Sequence, residues 1–180
     1  HHPLIAAHAV PWPGEMAVFR SPGSDGFELV TAFATRARIG ALVNDLWSGP
    51  VSRFDHGNVM IVDLVSGTLE SVTDLALFGG ANVLAVESAP GTWEILQAGS
   101  AELIAPGRYR LTRLLRGQRG TEQAMGDPVP AGARVVVLDS LLADLPVAEA
   151  DLGIPWNWRI GPAAKPVSDV VLTTKSSLAA

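Results

Sequence analysis

Short apolar runs, broken at close intervals by glycine and proline, set the rhythm of this chain. Its 18 glycines and 13 prolines are spread along all 180 residues, the punctuation of many short strands joined by turns. Glu15–Arg20 and Phe27–Phe33 read as an antiparallel hairpin closed by the turn-rich Ser21–Gly26. Arg36–Val43 suits a strand or one helical turn. Asn58–Val65 is a strand, with Thr68–Val72 as its short partner. Asn82–Glu87 and Thr92–Ala98 pair about Pro90-Gly91, and Ser100–Ala105 follows. Pro106-Gly107 suits the centre of a type II turn, where glycine accepts the positive φ. Beyond it, Arg108, Arg110 and Thr112 alternate with Tyr109 and Leu111. Leu114-Leu115 break that alternation, as a bulge or strand end would. The continuous apolar run in Ala133–Asp139 predicts a strand buried on both faces. Ser140–Leu145, capped by Asp139 or Ser140, is the best short helix. After about Gly153 the composition shifts to proline, small residues and Ser/Thr. The expected fold is mainly β: an antiparallel barrel or sandwich with one short helix and an extended C-terminal tail. The expected organisation is a β-rich module over 1–152 and an extended segment or linker over 153–180.

Composition narrows this picture. Hydrophobic residues make up 48% of the chain and charged residues 17%, enough for a core and opposite to the balance of a disordered segment. Sparse charge fits a surface partly buried against something else. A net charge of −5 argues against nucleic acid as the main partner. No cysteine is present, so disulfides and thiolate metal sites are excluded. The longest apolar stretch, Leu75–Val86, is too short to span a bilayer. The first residues lack the basic start and apolar core of a signal peptide. His1-His2 fit a tag remnant, and a start without Met fits a piece of a longer protein.

Motifs for chemistry are scarce. No G-x-S-x-G elbow, nucleotide loop or H-E-x-x-H occurs, and His1, His2, His8 and His56 show no ligand spacing with one another. No catalytic residue, cofactor or metal is therefore expected. Asp55-His56 reads as a polar loop, because neighbours on a strand face opposite ways. Glu94 and Glu102 would make a glycosidase pair only if adjacent strands brought them together. Trp156 and Trp158 flank Asn157 and would share a face of an extended strand. They either anchor that strand on the core or offer a glycan platform. The densest feature is Arg113-Leu-Leu-Arg116-Gly117-Gln-Arg119-Gly120-Thr121-Glu122. Arginine forks beside glycine could hold an anion. The structural reading has the glycines reversing the chain while the arginines pair with carboxylates such as Glu102, Glu122 or Asp127.

The stretch Arg113–Glu122 resembles the large tail-tip protein of long-tailed phages and phage-like gene transfer agents, a family described as host-specificity or baseplate hub proteins. Trp12-Pro13-Gly14, Gly80-Ala81-Asn82, Trp93–Gln97, Tyr109-Arg110-Leu111 and Gly132–Leu138 follow in the same order, so the likeness covers roughly residues 10 to 140. Two positions depart from the pattern: Ala98 follows Gln97 where an aromatic residue is expected, and the segment just before Gly132 has no His where one is expected. The resemblance implies a structural, non-enzymatic module of a tail tip or baseplate hub. Its place would be the tail of a phage-like particle assembled in the bacterial cytoplasm. Its partners would be other tail or baseplate proteins, with homotrimeric assembly and a host-surface glycan as a further candidate. The alternatives are a carbohydrate-binding module using Trp156 and Trp158, and a cell-wall polysaccharide hydrolase using Glu94 and Glu102.

Overall fold

A computed structural model describes residues 3–151, 153–170 and 172–176; His1 and His2 lie outside them. The fold is mainly β, as expected. Its strands are β1 (Leu4–Ile5), β2 (Met16–Ser21), β3 (Glu28–Phe33), β4 (Ile39–Leu42), β5 (Met60–Leu64), β6 (Val83–Ala89), β7 (Thr92–Ala105), β8 (Arg108–Leu115), β9 (Arg134–Val137), β10 (Ala143–Asp144), β11 (Pro155–Pro162) and β12 (Leu172–Ser176), with one α-helix, α1 (Asp74–Phe78). No described helix is long and apolar enough to cross a membrane. The chain forms two compact units: His1–Arg36 together with Leu141–Ala180, and Ala37–Ser140.

The first unit holds a four-stranded antiparallel sheet in the order β12-β11-β2-β3, and a separate pair, β1-β10. The expected hairpin is β2-β3, with a register shift at Val18/Phe19. The proline-containing segment after Gly153 supplies β11, which lies inside the sheet and pairs with both β2 and β12.

The second unit is a closed six-stranded barrel, β4-β5-β8-β7-β6-β9. Its interior follows from alternation, since successive strand residues face opposite sides. Met60, Val62 and Leu64 point inward from β5, Leu84 and Val86 from β6, Leu96 and Ala98 from β7, Tyr109 and Leu111 from β8. Closure leaves the barrel without a free sheet edge.

Four local expectations are corrected. The helix is not at Ser140–Leu145: Ala143 and Asp144 pair with Ile5 and Leu4, and the Leu145 N–H donates to the Pro3 carbonyl. Tertiary pairing there overrides a modest helical preference. The helix lies instead at α1, where Thr73 Oγ1 accepts from the Ala76 N–H at 3.3 Å, Asp74 fills the first turn and Leu77 is buried. Thr68–Val72 is no strand; β5 pairs with β4 and β8. Finally, β9 alternates rather than being buried on both faces, with Val135 and Val137 buried and Arg134 exposed. Thr92–Ala98 and Ser100–Ala105 merge into one strand because Gly99 does not end it. A Cβ at Gly99 would lie 3.3 Å from the Arg113 guanidinium carbon, so glycine permits a close approach there.

Candidate functional site

The end of β8 is where the chemistry gathers. Arg113 adopts φ +54°, which shifts the inward phase of the strand from Tyr109 and Leu111 to Leu114. This is the break that the Leu114-Leu115 pair predicts. Arg116, just beyond β8, is wholly buried. Its Nε donates to Glu94 Oε1 at 2.7 Å and its Nη2 to Glu94 Oε2 at 2.8 Å. Its Nη1 donates to the Trp47 carbonyl at 2.8 Å and to Asp55 Oδ2 at 3.3 Å. Glu94, also wholly buried, sits on the same face of β7 as the core residues Leu96 and Ala98. A carboxylate in that place is tolerable only because a forked guanidinium meets it bidentately.

The rest of the motif folds around this pair. Gly117 takes φ +57°, Arg119 +58° and Gly120 +81°, left-handed conformations that reverse the chain and that glycine adopts without steric cost. A Cβ at Gly117 would lie 3.0 Å from Glu122 Cα, and the Gly117 N–H donates to Glu94 Oε1 at 3.2 Å. Thr121 Oγ1 donates to the Gln118 carbonyl at 2.8 Å and accepts from the Ile95 N–H at 2.9 Å, tying the turn to β7. Arg119 and Glu122 point to solvent. The anion-site reading thus loses its central fork: Arg116 is engaged by the chain's own carboxylates. Those partners are Glu94 and Asp55 rather than Glu102, Glu122 or Asp127. Glu102 pairs with Arg110, Nε donating to Oε2 at 3.0 Å, while Arg113 pairs with Asp74 and Asp127 accepts from Ser48.

Above the network, the loop between Trp47 and Asn58 forms an open cleft of 690 Å³ lined by Arg53, Phe54, Asp55, His56, Gly57 and Asn58. Asp55 is its floor, 2% exposed. Oδ1 accepts from the backbone N–H groups of Gly57 and Asn58, both at 3.0 Å, and Oδ2 from Asn58 Nδ2 at 2.7 Å. Burial pushes the Asp55 carboxyl upward, yet the bonds from Asn58 and Gly57 and the Arg116 charge hold it below the ordinary value. Asp55 does not orient His56. The imidazole instead packs beside Phe54, ring centroids 5.9 Å apart, in agreement with the polar-loop reading. Phe54 also meets Phe78, ring centroids 6.1 Å apart, and Arg113 lies over its ring at 5.1 Å.

The other paired candidates separate. Glu94 and Glu102 lie on one strand, not on neighbours. Eight positions at ~3.3 Å each put them roughly 26 Å apart along it, and each is held by a different arginine. Trp156 and Trp158 do share a strand, β11. Trp158 is 8% exposed, and the Arg20 guanidinium covers Trp156 at 4.4 Å from the ring centroid. No grouping of three or more His, Cys, Asp or Glu able to hold a metal occurs among the described residues.

Sequence reasoning singled out Arg116 and mentioned Glu94 and Asp55 separately, but not together. Their separations of 22 and 61 residues from Arg116 exceed any local pattern, and only the closed strand order brings them into contact.

Comparison with known proteins adds one finding. Residues 37–136 match the family model described as Rcc01698-like, C-terminal, a span that coincides with the barrel unit and covers more than half of the chain. No curated protein matches the chain.

Proposed function

We propose that this chain, which belongs to the Rcc01698-like, C-terminal family, is a structural module of a phage-like tail tip or baseplate hub. In this role it takes part in tail assembly alongside other tail proteins, in three copies per particle, and contributes to contact with the host surface. The observation that carries the reading is the fate of the Arg113–Glu122 motif. This stretch carries the resemblance to tail-tip proteins, and its central arginine, Arg116, turns inward to hold one end of the barrel together. A motif used this way supports a scaffold rather than a reaction. Further support comes from apolar side chains the barrel unit leaves in solvent, including Leu75 (85% exposed), Phe78 (68%) and Leu103 (60%); such surfaces are common where neighbouring subunits pack.

The test is electron cryo-microscopy of the intact particle that encodes the chain. Density for the six-stranded barrel at the tail tip, repeated about a three-fold axis, is the expected result. Absence of the chain from purified particles would overturn the proposal.

A further inference from the structure

The cleft over Asp55 has a composition that the scaffold role leaves unexplained. Six of the eight arginines of the barrel unit are ion-paired. Arg53 is not: among the described residues it makes no hydrogen bond or ion pair, and it is exposed at the cleft rim. In a chain of net charge −5, a free guanidinium on the cleft is a local excess of positive charge. The only carboxylate lining the cleft, Asp55, is already engaged by Arg116, Gly57 and Asn58, so it offers no competing partner. The preceding residue, Ser52, stands at φ +59°, a left-handed conformation uncommon for a non-glycine residue and frequent where a side chain must be aimed. The aromatic side of the cleft is equally fixed. Phe54 packs against both His56 and Phe78 with Arg113 over its ring, and the loop backbone is anchored to the barrel through the Trp47 carbonyl and Asp55.

From this arrangement we infer that the cleft binds an acidic saccharide. A uronate carboxylate lies against the Arg53 fork, and the C–H face of the sugar ring packs on the Phe54–His56 wall. The chemistry is specific in its parts. A planar guanidinium matches a carboxylate in two parallel hydrogen bonds. An aromatic wall receives the apolar face of a pyranose, whereas a bare inorganic anion gains nothing from it. Asn58 Nδ2 is committed to Asp55 and the Ser48 carbonyl, which leaves its Oδ1 to accept from a sugar hydroxyl. An open cleft on a rigid loop suits one or two units of a longer chain rather than a small molecule enclosed on all sides. The inference needs only the cleft and goes beyond the assembly role: it stands or falls independently of whether the chain resides in a tail.

The experiment is a titration of the full 180-residue chain with trigalacturonate, followed by amide chemical-shift changes and calorimetry. Maltotriose and inorganic phosphate are the comparison ligands. Saturable trigalacturonate binding is expected, with shifts centred on residues 53–58. Maltotriose and phosphate should bind at least about tenfold more weakly. Arg53→Ala should weaken trigalacturonate binding by about tenfold or more, the equivalent of one charged hydrogen-bonded contact. Arg119→Ala, which removes the exposed arginine of the turn, should leave it unchanged. Because Arg53 and His56 are both exposed, Arg53→Gln and His56→Ala provide second variants with the fold intact. Absence of saturable binding, phosphate binding as tight as trigalacturonate, or equal losses in Arg53→Ala and Arg119→Ala would each overturn the inference.

Discussion

Arg110, near the start of β8, and Arg116, just beyond its end, stand six positions apart; each faces a glutamate of β7, and each uses Nε and Nη2 to reach it. They differ in solvent. The Arg110 and Glu102 side chains are 50% and 60% exposed; those of Arg116 and Glu94 are wholly buried. In water an arginine–glutamate pair is weak, because attraction is screened and two long side chains lose freedom. In the interior the same pair becomes an obligation, since either partner alone is an unpaired buried charge. Burial rather than ion-pair chemistry therefore decides which arginine of the motif the fold depends on.

That contrast can be broken in order of expected effect. Arg116→Ala leaves Glu94 buried without its fork and should cost about 3–5 kcal/mol, read from chemical denaturation. A loss no larger than that of a surface pair would dissolve the distinction. Asp55→Asn should cost about 1–3 kcal/mol at neutral pH, the scale for a charged hydrogen-bonded group. This effect is pH-dependent with a defined sign. The folded carboxyl titrates below its unfolded value of about 3.9, so its contribution is complete above that value and disappears as pH falls through the lower folded one. The gap between wild type and Asp55→Asn should close below about pH 4; a gap constant from pH 7 to pH 3 would show that the charge is irrelevant. Gly117→Ala places a Cβ in a left-handed position against Glu122 and should cost about 1–2 kcal/mol, visible as a lowered thermal midpoint. Glu102→Gln should change stability by less than about 1 kcal/mol, and raising the salt concentration should shrink even that.

Much of the architecture was legible in the sequence. The β2-β3 hairpin, β5 and the β6-β7 turn are written in local alternation and in Gly/Pro punctuation. The mainly β class follows from the same signals. What escaped was non-local. Ser140–Leu145 has helical composition, but its backbone partners are Pro3, Leu4 and Ile5, at the far end of the chain. The true helix hid inside the apolar stretch that starts at Leu75, although Thr73-Asp74 carries a cap signal. Ala133–Asp139 looks apolar on both faces, yet only the barrel interior decides that Val135 and Val137 are buried. The site was half legible. Arg116 stood out through its glycine-rich setting, whereas Glu94 looked like one of several strand glutamates. Nothing near it in sequence signals that it faces the core with Leu96 and Ala98. Arg53 carried no signal at all, because being unpaired is a property of three-dimensional surroundings.

The central claim is that Arg116 and Glu94 act as one buried unit on which the barrel end depends. A double-mutant cycle with Arg116→Met, Glu94→Leu and the combination, measured as unfolding free energies in urea, tests it most directly. Arg116→Met strands the buried Glu94 carboxylate, Glu94→Leu leaves Arg116 with Asp55 as its one carboxylate partner, and the double variant removes the buried pair while Asp55 keeps its bonds from Gly57 and Asn58. The account predicts that the double variant is more stable than Arg116→Met alone, with a coupling energy of about 2 kcal/mol or more. Additive losses across the cycle would contradict it, and would mean that the two side chains contribute to stability separately.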